Sequence, residues 1–247
     1  MIGSVLVTGA TAGIGKATVE AFVAAGAGKV YAVGRRADRL EALRDEMPAV
    51  VPVVLDVADR LAIETLAAAR PEWFAVDVLV NNAGLARGVE PMQSADPADW
   101  DEMIDTNVKG LLAVTRSVVP GMIARGRGHV VNLGSVAGRW VYPGGGVYCA
   151  TKYAVRALSE GLRYDLAGTD VRVTNIEPGL VETEFSEVRF RGDTGRAAKV
   201  YQDADVLRPE DIADAIVWSC ERPARVNIQE MVVYPTCQAG VRDVVRR

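Results

Sequence analysis

One histidine occurs among the 247 residues. A histidine-based metal site and a Ser-His-Asp triad both need more imidazole than that, so neither is expected and no metal is assigned. Three cysteines, Cys149, Cys220 and Cys237, are too few and too scattered to frame a disulfide scaffold, which fits a reducing compartment. No apolar run reaches the length that spans a bilayer, so no membrane association is expected. The stretch ahead of the turn at Thr8 carries neither a basic leader nor a cleavage site, and a cytoplasmic location is expected. A net charge of −4 gives no sign of a basic face, which argues against nucleic acid as a partner. Repeats, linkers and low-complexity tracts are also lacking.

What is present reads as one α/β domain. Apolar residues make up 49% and charged residues 24%, a balance that fills one core at this length. Short β-branched runs at 4–8, 30–33, 50–56, 78–81, 129–133, 172–176 and 229–234 predict strands. Several are apolar on consecutive positions, as in a parallel sheet covered on both faces. Amphipathic segments near 14–26, 37–46, 59–69, 98–125, 148–167 and 208–221 predict helices between them. Strict alternation implies right-handed crossovers and a doubly wound, Rossmann-type sheet of about seven strands with helices on both faces. The single domain, 1–247, divides into a cofactor half over about 1–135 and a catalytic and substrate half over about 136–247. The stretch 182–208, without clear periodicity, predicts a lid.

The first strand leads into TGATAGIG, residues 8–15, and then into a helix. Gly9, Gly13 and Gly15 permit a tight turn, and the helix start offers free N–H groups to a pyrophosphate. The second strand ends in Gly34-Arg35-Arg36, without the acidic residue that holds the ribose hydroxyls of NAD. A guanidinium fork suits a 2′-phosphate, so NADP(H) is the expected cofactor, with the choice between Arg35 and Arg36 left open.

Further along, Tyr148 and Lys152 stand four apart on a predicted helix, on one face and about a turn apart. A phenol with a pKa of about 10 is a poor base at neutral pH. A nearby ammonium favours the phenolate, which points to a general acid/base pair. Ser135 follows the carboxyl end of the 129–133 strand, where ligands bind in open α/β sheets, and its hydroxyl could polarise a carbonyl. Cys149 points about 100° away from Tyr148 on the same helix and is not expected to act. His129, at a strand start, reads as structural, and Trp73, Trp100 and Trp218 read as packing. Trp140 and Tyr142 lie between Ser135 and Tyr148 and are expected to line a substrate pocket.

TGATAGIG, Asp56-Val57, Asn81-Asn82-Ala83-Gly84, Asn107, Ser135, Tyr148-x-x-x-Lys152 and Pro178-Gly179 resemble, in order and spacing, the short-chain dehydrogenase/reductase family. The resemblance covers essentially the whole chain. It implies that Tyr148 transfers the proton, that Lys152 also holds the nicotinamide ribose, and that Asn107 supports a water-linked relay. It implies a cofactor site built from Gly9, Thr11, Gly13, Ile14, Gly15, Arg35, Arg36, Tyr148, Lys152, Pro178, Gly179 and Val181. Asp56 and Val57 resemble adenine contacts, Asn82, Ala83 and Gly84 border the cofactor, and Thr183 resembles the residue that fixes the nicotinamide amide. A homotetramer is implied in the same way.

Within that family, GRRADRLEAL, IDTNVKGLLAVTRSVVPGM and EPGLVETEFSEVRFRGD are similar to the NADP-dependent dehydrogenases of small 3-hydroxy acids such as serine and allo-threonine. Glu182 departs from that pattern, where a small residue is expected. Alternatives are reduction of a sulfoacetaldehyde-type aldehyde or of a 3-oxoacyl thioester, and, as a different class, a non-catalytic NADP sensor. A hydroxy acid brings a carboxylate that needs a partner when buried. Arg189, between Val188 and Phe190, is expected to supply it, with Arg191 pointing the same way in an extended loop.

Overall fold

The apolar runs pair as parallel strands in a computed structural model that describes residues 2–247. The strands are β1 Ser4–Thr8, β2 Lys29–Gly34, β3 Val50–Val54, β4 Val78–Asn81, β5 Gly128–Leu133, β6 Val171–Pro178 and β7 Glu230–Val233. They lie in the order β3-β2-β1-β4-β5-β6-β7, every neighbouring pair parallel. The helices are α1 Gly13–Ala24, α2 Ala37–Glu46, α3 Arg60–Ala69, α4 Pro71–Phe74, α5 Pro97–Ile104 and α6 Leu111–Arg125. They continue with α7 Gly146–Asp165, α8 Phe185–Arg189, α9 Thr194–Tyr201 and α10 Pro209–Cys220.

Alternation within each strand feeds two apolar layers. Val5 and Val7 of β1 join Phe22 of α1 and Ile212 and Ile216 of α10 on one face. Leu6 joins Ile63 of α3, Val114 and Val118 of α6 and Leu79 on the other. Both faces are covered, which explains the unbroken apolar runs. Strand order reverses between β1 and β4, so the loops after those strands diverge and leave a crevice at their carboxyl ends.

Three departures from the periodicity bear on the site. The 98–125 pattern is split by a π-helical segment, Asp105–Gly110, which carries the buried Asn107. One extra residue in the turn re-aims a side chain without ending the helix, a device common at functional sites. β6 runs two residues past its expected end, through Glu177 and Pro178. The aperiodic stretch 182–208 contains α8 and α9, of five and eight residues, too short to show a period in sequence. Asp193 caps α9 by accepting from the Arg196 amide at 2.9 Å.

His129 is structural, buried between layers. The Thr174 hydroxyl donates to the Ile228 carbonyl at 2.6 Å, so it must accept from His129 Nε2 at 2.7 Å. Nδ1 then presents a buried lone pair with no partner among the described residues. Burial, reinforced by nearby Arg172, pushes this imidazole down to about 3. Between about pH 3 and the unfolded value near 6.5 the unfolded chain binds a proton that the folded chain refuses, so stability falls with falling pH. We expect stability from urea unfolding to drop by about 2 kcal/mol between pH 7 and pH 5, a window above most carboxylate titrations. As the chain has no other histidine, His129→Gln should remove that slope. An equal slope in both proteins would assign the acid sensitivity to other groups.

Candidate active site

The crevice opens into a cavity of about 730 Å³ that reaches from Arg36 to Tyr148. At its floor the turn after β1 is stitched to the loop after β4. The Thr8 hydroxyl accepts from the Asn82 and Ala83 amides, both at 3.0 Å, and Asn82 Nδ2 donates to the Thr8 carbonyl at 2.9 Å. Close approach dictates glycine here. A Cβ on Gly15 would stand 2.2 Å from the Gly9 carbonyl oxygen. Gly13, at φ +50°, would set one 3.0 Å from the Thr183 methyl. Ala12 precedes α1 without any side-chain cap, and Ala12, Gly13 and Ile14 line the cavity. This helix start therefore offers an anion both free N–H groups and the positive end of its dipole.

At the end of β2 the guanidinium groups converge. Arg36 donates from Nε and Nη2 to the Thr11 hydroxyl at 2.9 and 2.7 Å. Its Nη1 meets Glu184 Oε2 at 2.9 Å, while Arg39 Nη1 meets Glu184 Oε1 at 2.6 Å. Arg35 faces Asp56 at 3.5 Å. Three cations and two carboxylates thus surround one mouth of the cavity.

The other end holds Ser135, Tyr148 and Lys152. Ser135 caps the short 3₁₀ turn Val136–Gly138, its oxygen accepting from the Ala137 amide at 3.1 Å. That leaves the hydroxyl hydrogen to donate. Tyr148 lies on the first turn of α7, its ring 5.7 Å from that of Phe185. Lys152, one turn on, has its Nζ 5.9 Å from the Tyr148 ring and donates to the Leu133 carbonyl at 2.7 Å. Asn107 is buried behind them. It pairs with Leu85 like a strand neighbour, accepting from the amide and donating to the carbonyl, both at 2.8 Å. It also donates to Thr151 Oγ1 at 3.0 Å, which ties the π segment to α7.

The electrostatics correct one expectation. Tyr148 is pushed up, not drawn down, because burial dominates and Tyr142 adds to it; hydrogen bonding by Ser135 and the Arg189 charge oppose it. Burial likewise pushes Lys152 down to about 8. Lys152 spends a donor on Leu133, and desolvation of the phenolate is the largest influence on Tyr148.

Most of the expected residues meet in this cavity: Thr11, Arg35, Asp56, Val57, Gly84, Pro178, Gly179, Val181, Tyr142 and Arg189 all line it. Arg189 Nη2 donates to the Tyr142 hydroxyl at 2.7 Å, and its Cζ lies 5.7 Å from the Tyr148 ring centroid. Two substrate expectations fail. Trp140 is 58% exposed and outside the cavity wall. Arg191 pairs with Asp99 and is 60% exposed. The extended-loop argument breaks down because α8 ends at Arg189 and Arg191 adopts a left-handed turn at φ +51°. Glu182 is also exposed and outside the cavity wall, although its neighbours Val181 and Thr183 line it.

Sequence reasoning missed Glu184, Phe185 and the C-terminal tail, from which Gln238, Arg242 and Arg246 reach the cavity. The tail is aperiodic, but its arginine-rich VRDVVRR was a visible signal. Arg242 stands 5.3 Å from the Tyr142 ring and Arg189 5.4 Å, so two cations attend that ring.

The family profile described as short chain dehydrogenase matches residues 4–193. An NADP-dependent 3-hydroxy acid dehydrogenase of Salmonella typhi is 54% identical over 238 residues, 95% of this chain and 96% of its own. Sulfoacetaldehyde reductase 2 of Chromohalobacter salexigens is 47% identical, with 98% of each chain covered. Among solved structures, the closed form of serine dehydrogenase complexed with NADP+ superposes with a TM-score of 0.94 at 52% identity, covering 99% of both chains. Serine dehydrogenase from Escherichia coli gives 0.83 at 47% identity, covering 96% of this chain and 99% of the other. Agreement of profile, relatives and superposition along nearly every residue has one reading, that this chain belongs to the short chain dehydrogenase family.

Proposed function

We propose that the chain catalyses reversible NADP-dependent oxidation of a small polar 3-hydroxy acid, of the serine or allo-threonine type, to the 3-oxo acid. One observation carries the reading. A single cavity joins the glycine turn and the Arg36 cluster to Ser135 and Tyr148, with the Arg189 guanidinium beside the Tyr148 ring. The names of the relatives, two NADP-dependent or NADP-bound dehydrogenases among them, support the cofactor and the substrate class. A cytoplasmic homotetramer belongs to the same proposal.

The residues present fit a phosphorylated dinucleotide. The cradle at Gly15 is one that a Cβ would fill, the α1 start is uncapped, and guanidinium groups meet at the end of β2. Arg36 is the better placed to hold a 2′-phosphate, because Thr11 fixes it from two nitrogens. Hydride transfer to or from the substrate carbon is the chemistry that a nicotinamide held here would supply. Ser135 donates its hydroxyl hydrogen, turned to Tyr148 in the structure, to the substrate oxygen. Tyr148 gives that oxygen a proton in reduction and takes one in oxidation. The phenol is protonated at neutral pH, as the donating role requires, and burial makes it the weaker acid and its phenolate the stronger base. Lys152 stays largely cationic there and steadies the phenolate when it forms.

Arg189 holds the substrate carboxylate. Its backbone and side chain both pair with Gly88, at 3.0 and 2.9 Å, so the guanidinium is fixed before any substrate arrives. The acidic groups in the cavity wall, Asp56 and Glu184, are paired with Arg35, Arg36 and Arg39, so no unpaired carboxylate of the wall opposes an anion beside Arg189. Arg189→Met should raise KM for 3-hydroxypropionate or serine by about tenfold or more and spare a neutral alcohol. Arg191→Met, on a side chain engaged by Asp99, should change neither. Equal losses on charged and neutral substrates in Arg189→Met would reduce α8 to a lid and leave the carboxylate without this partner.

A further inference from the structure

Glu184 is one of the two carboxylates at the phosphate end of the cavity, and it binds two guanidinium groups at once. Oε2 meets Arg36 at 2.9 Å and Oε1 meets Arg39 at 2.6 Å. Two oxygens of one anion, each on a different arginine, reproduce what a phosphate monoester would present to the same pair. Burial raises this carboxyl, but hydrogen bonds from Arg36 and Arg39 outweigh it and hold Glu184 below the usual carboxylate range. It is therefore an anion at any pH where a cofactor would bind.

The pairs also join distant parts of the chain. Glu184 lies 148 residues from Arg36 and 145 from Arg39, so it straps the segment after β6 across the cleft. The neighbours of Glu184 run the length of the cavity. Thr183 rests over Gly13, Phe185 packs on the Tyr148 ring, and Arg189 closes α8 at the substrate end. A shift of Glu184 is a shift at the start of the helix that bears Arg189.

We propose that Glu184 is an internal competitor for the cofactor's 2′-phosphate, displaced from Arg36 and Arg39 when that phosphate binds. The proposal rests on the NADP reading above. A phosphate monoester carries about −1.5 to −2 at neutral pH against −1 for the carboxylate, so it takes the arginines. Glu184 then does two things. It sets the cofactor's affinity lower than the arginines alone would give, which favours release after each turnover. It also signals occupancy to the start of α8, which is untied from Arg36 and Arg39 only when a 2′-phosphate is present, while Arg189 at the other end stays fixed on Gly88.

The probes are adenosine 2′-monophosphate and adenosine 5′-monophosphate, titrated calorimetrically into the wild type and Glu184→Gln. The exchanged side chain is about 40% exposed, so the variant should fold. Each ion pair is partly solvated and weak, and relief of two of them should tighten 2′-monophosphate binding by about three- to tenfold. Binding of the 5′-monophosphate should not change. Amide hydrogen exchange over 184–188 should speed up when the 2′-monophosphate binds the wild type. In Glu184→Gln it should be fast with or without the probe. Unchanged or weaker 2′-monophosphate binding in Glu184→Gln overturns the proposal while leaving the NADP reading intact. If the 2′-monophosphate binds the wild type no better than the 5′-monophosphate, the NADP reading itself fails and takes this proposal with it.

Discussion

Replacing Tyr148 by phenylalanine is expected to lower turnover by about 10²–10⁴-fold, the usual worth of a positioned acid/base. The ring is kept, so its contact with Phe185 and the covering of the pocket persist, and only the proton carrier is lost. NADPH affinity should therefore change little. Single-turnover kinetics with NADPH and a 3-oxo substrate separate the two effects. A variant that binds NADPH normally and still turns over near the wild-type rate would remove Tyr148 from the mechanism.

The second large effect concerns the choice of cofactor. Wild type should prefer NADPH over NADH by roughly 10–100-fold in kcat/KM, as charge-assisted hydrogen bonds of about 1.5–3 kcal/mol imply. Changing Arg35 and Arg36 to serine together should erase most of that preference. The single changes should not be equal. Arg36 is anchored on Thr11, whereas Arg35 is 62% exposed and already faces Asp56 at 3.5 Å, so most of the loss belongs to Arg36. Equal kcat/KM for both cofactors in the wild type would show that the arginines face no phosphate.

How much of this was legible in the sequence depends on the range of the forces involved. The strands and the glycine turn were readable because each follows from local pattern: apolar runs for a sheet covered twice, and small residues where backbones nearly touch. Tyr148 and Lys152 were readable for the same reason, since helical spacing fixes their common face. Asn107 was visible only through family register. Nothing local announces the π segment that aims it, because the helical pattern runs on through 98–125. Arg189 and Arg191 show the limit most clearly. Two residues apart in a loop, they read alike, yet one ends a helix beside Tyr148 and the other turns left-handed onto Asp99. Glu184, Arg242 and Arg246 act through contacts about 45 to 150 residues away, which neither period nor propensity encodes. The direction of the Tyr148 shift was likewise out of reach, because desolvation depends on what buries the ring.

The central claim is tested most directly by following NADPH fluorescence with NADP+ and a panel of serine, allo-threonine, 3-hydroxypropionate and isethionate. NADPH should form with the 3-hydroxy carboxylates, about 10²–10⁴-fold more slowly in Tyr148→Phe and much more slowly when NAD+ replaces NADP+. No NADPH from any of the carboxylates, with turnover confined to isethionate or to none of the four, would contradict it.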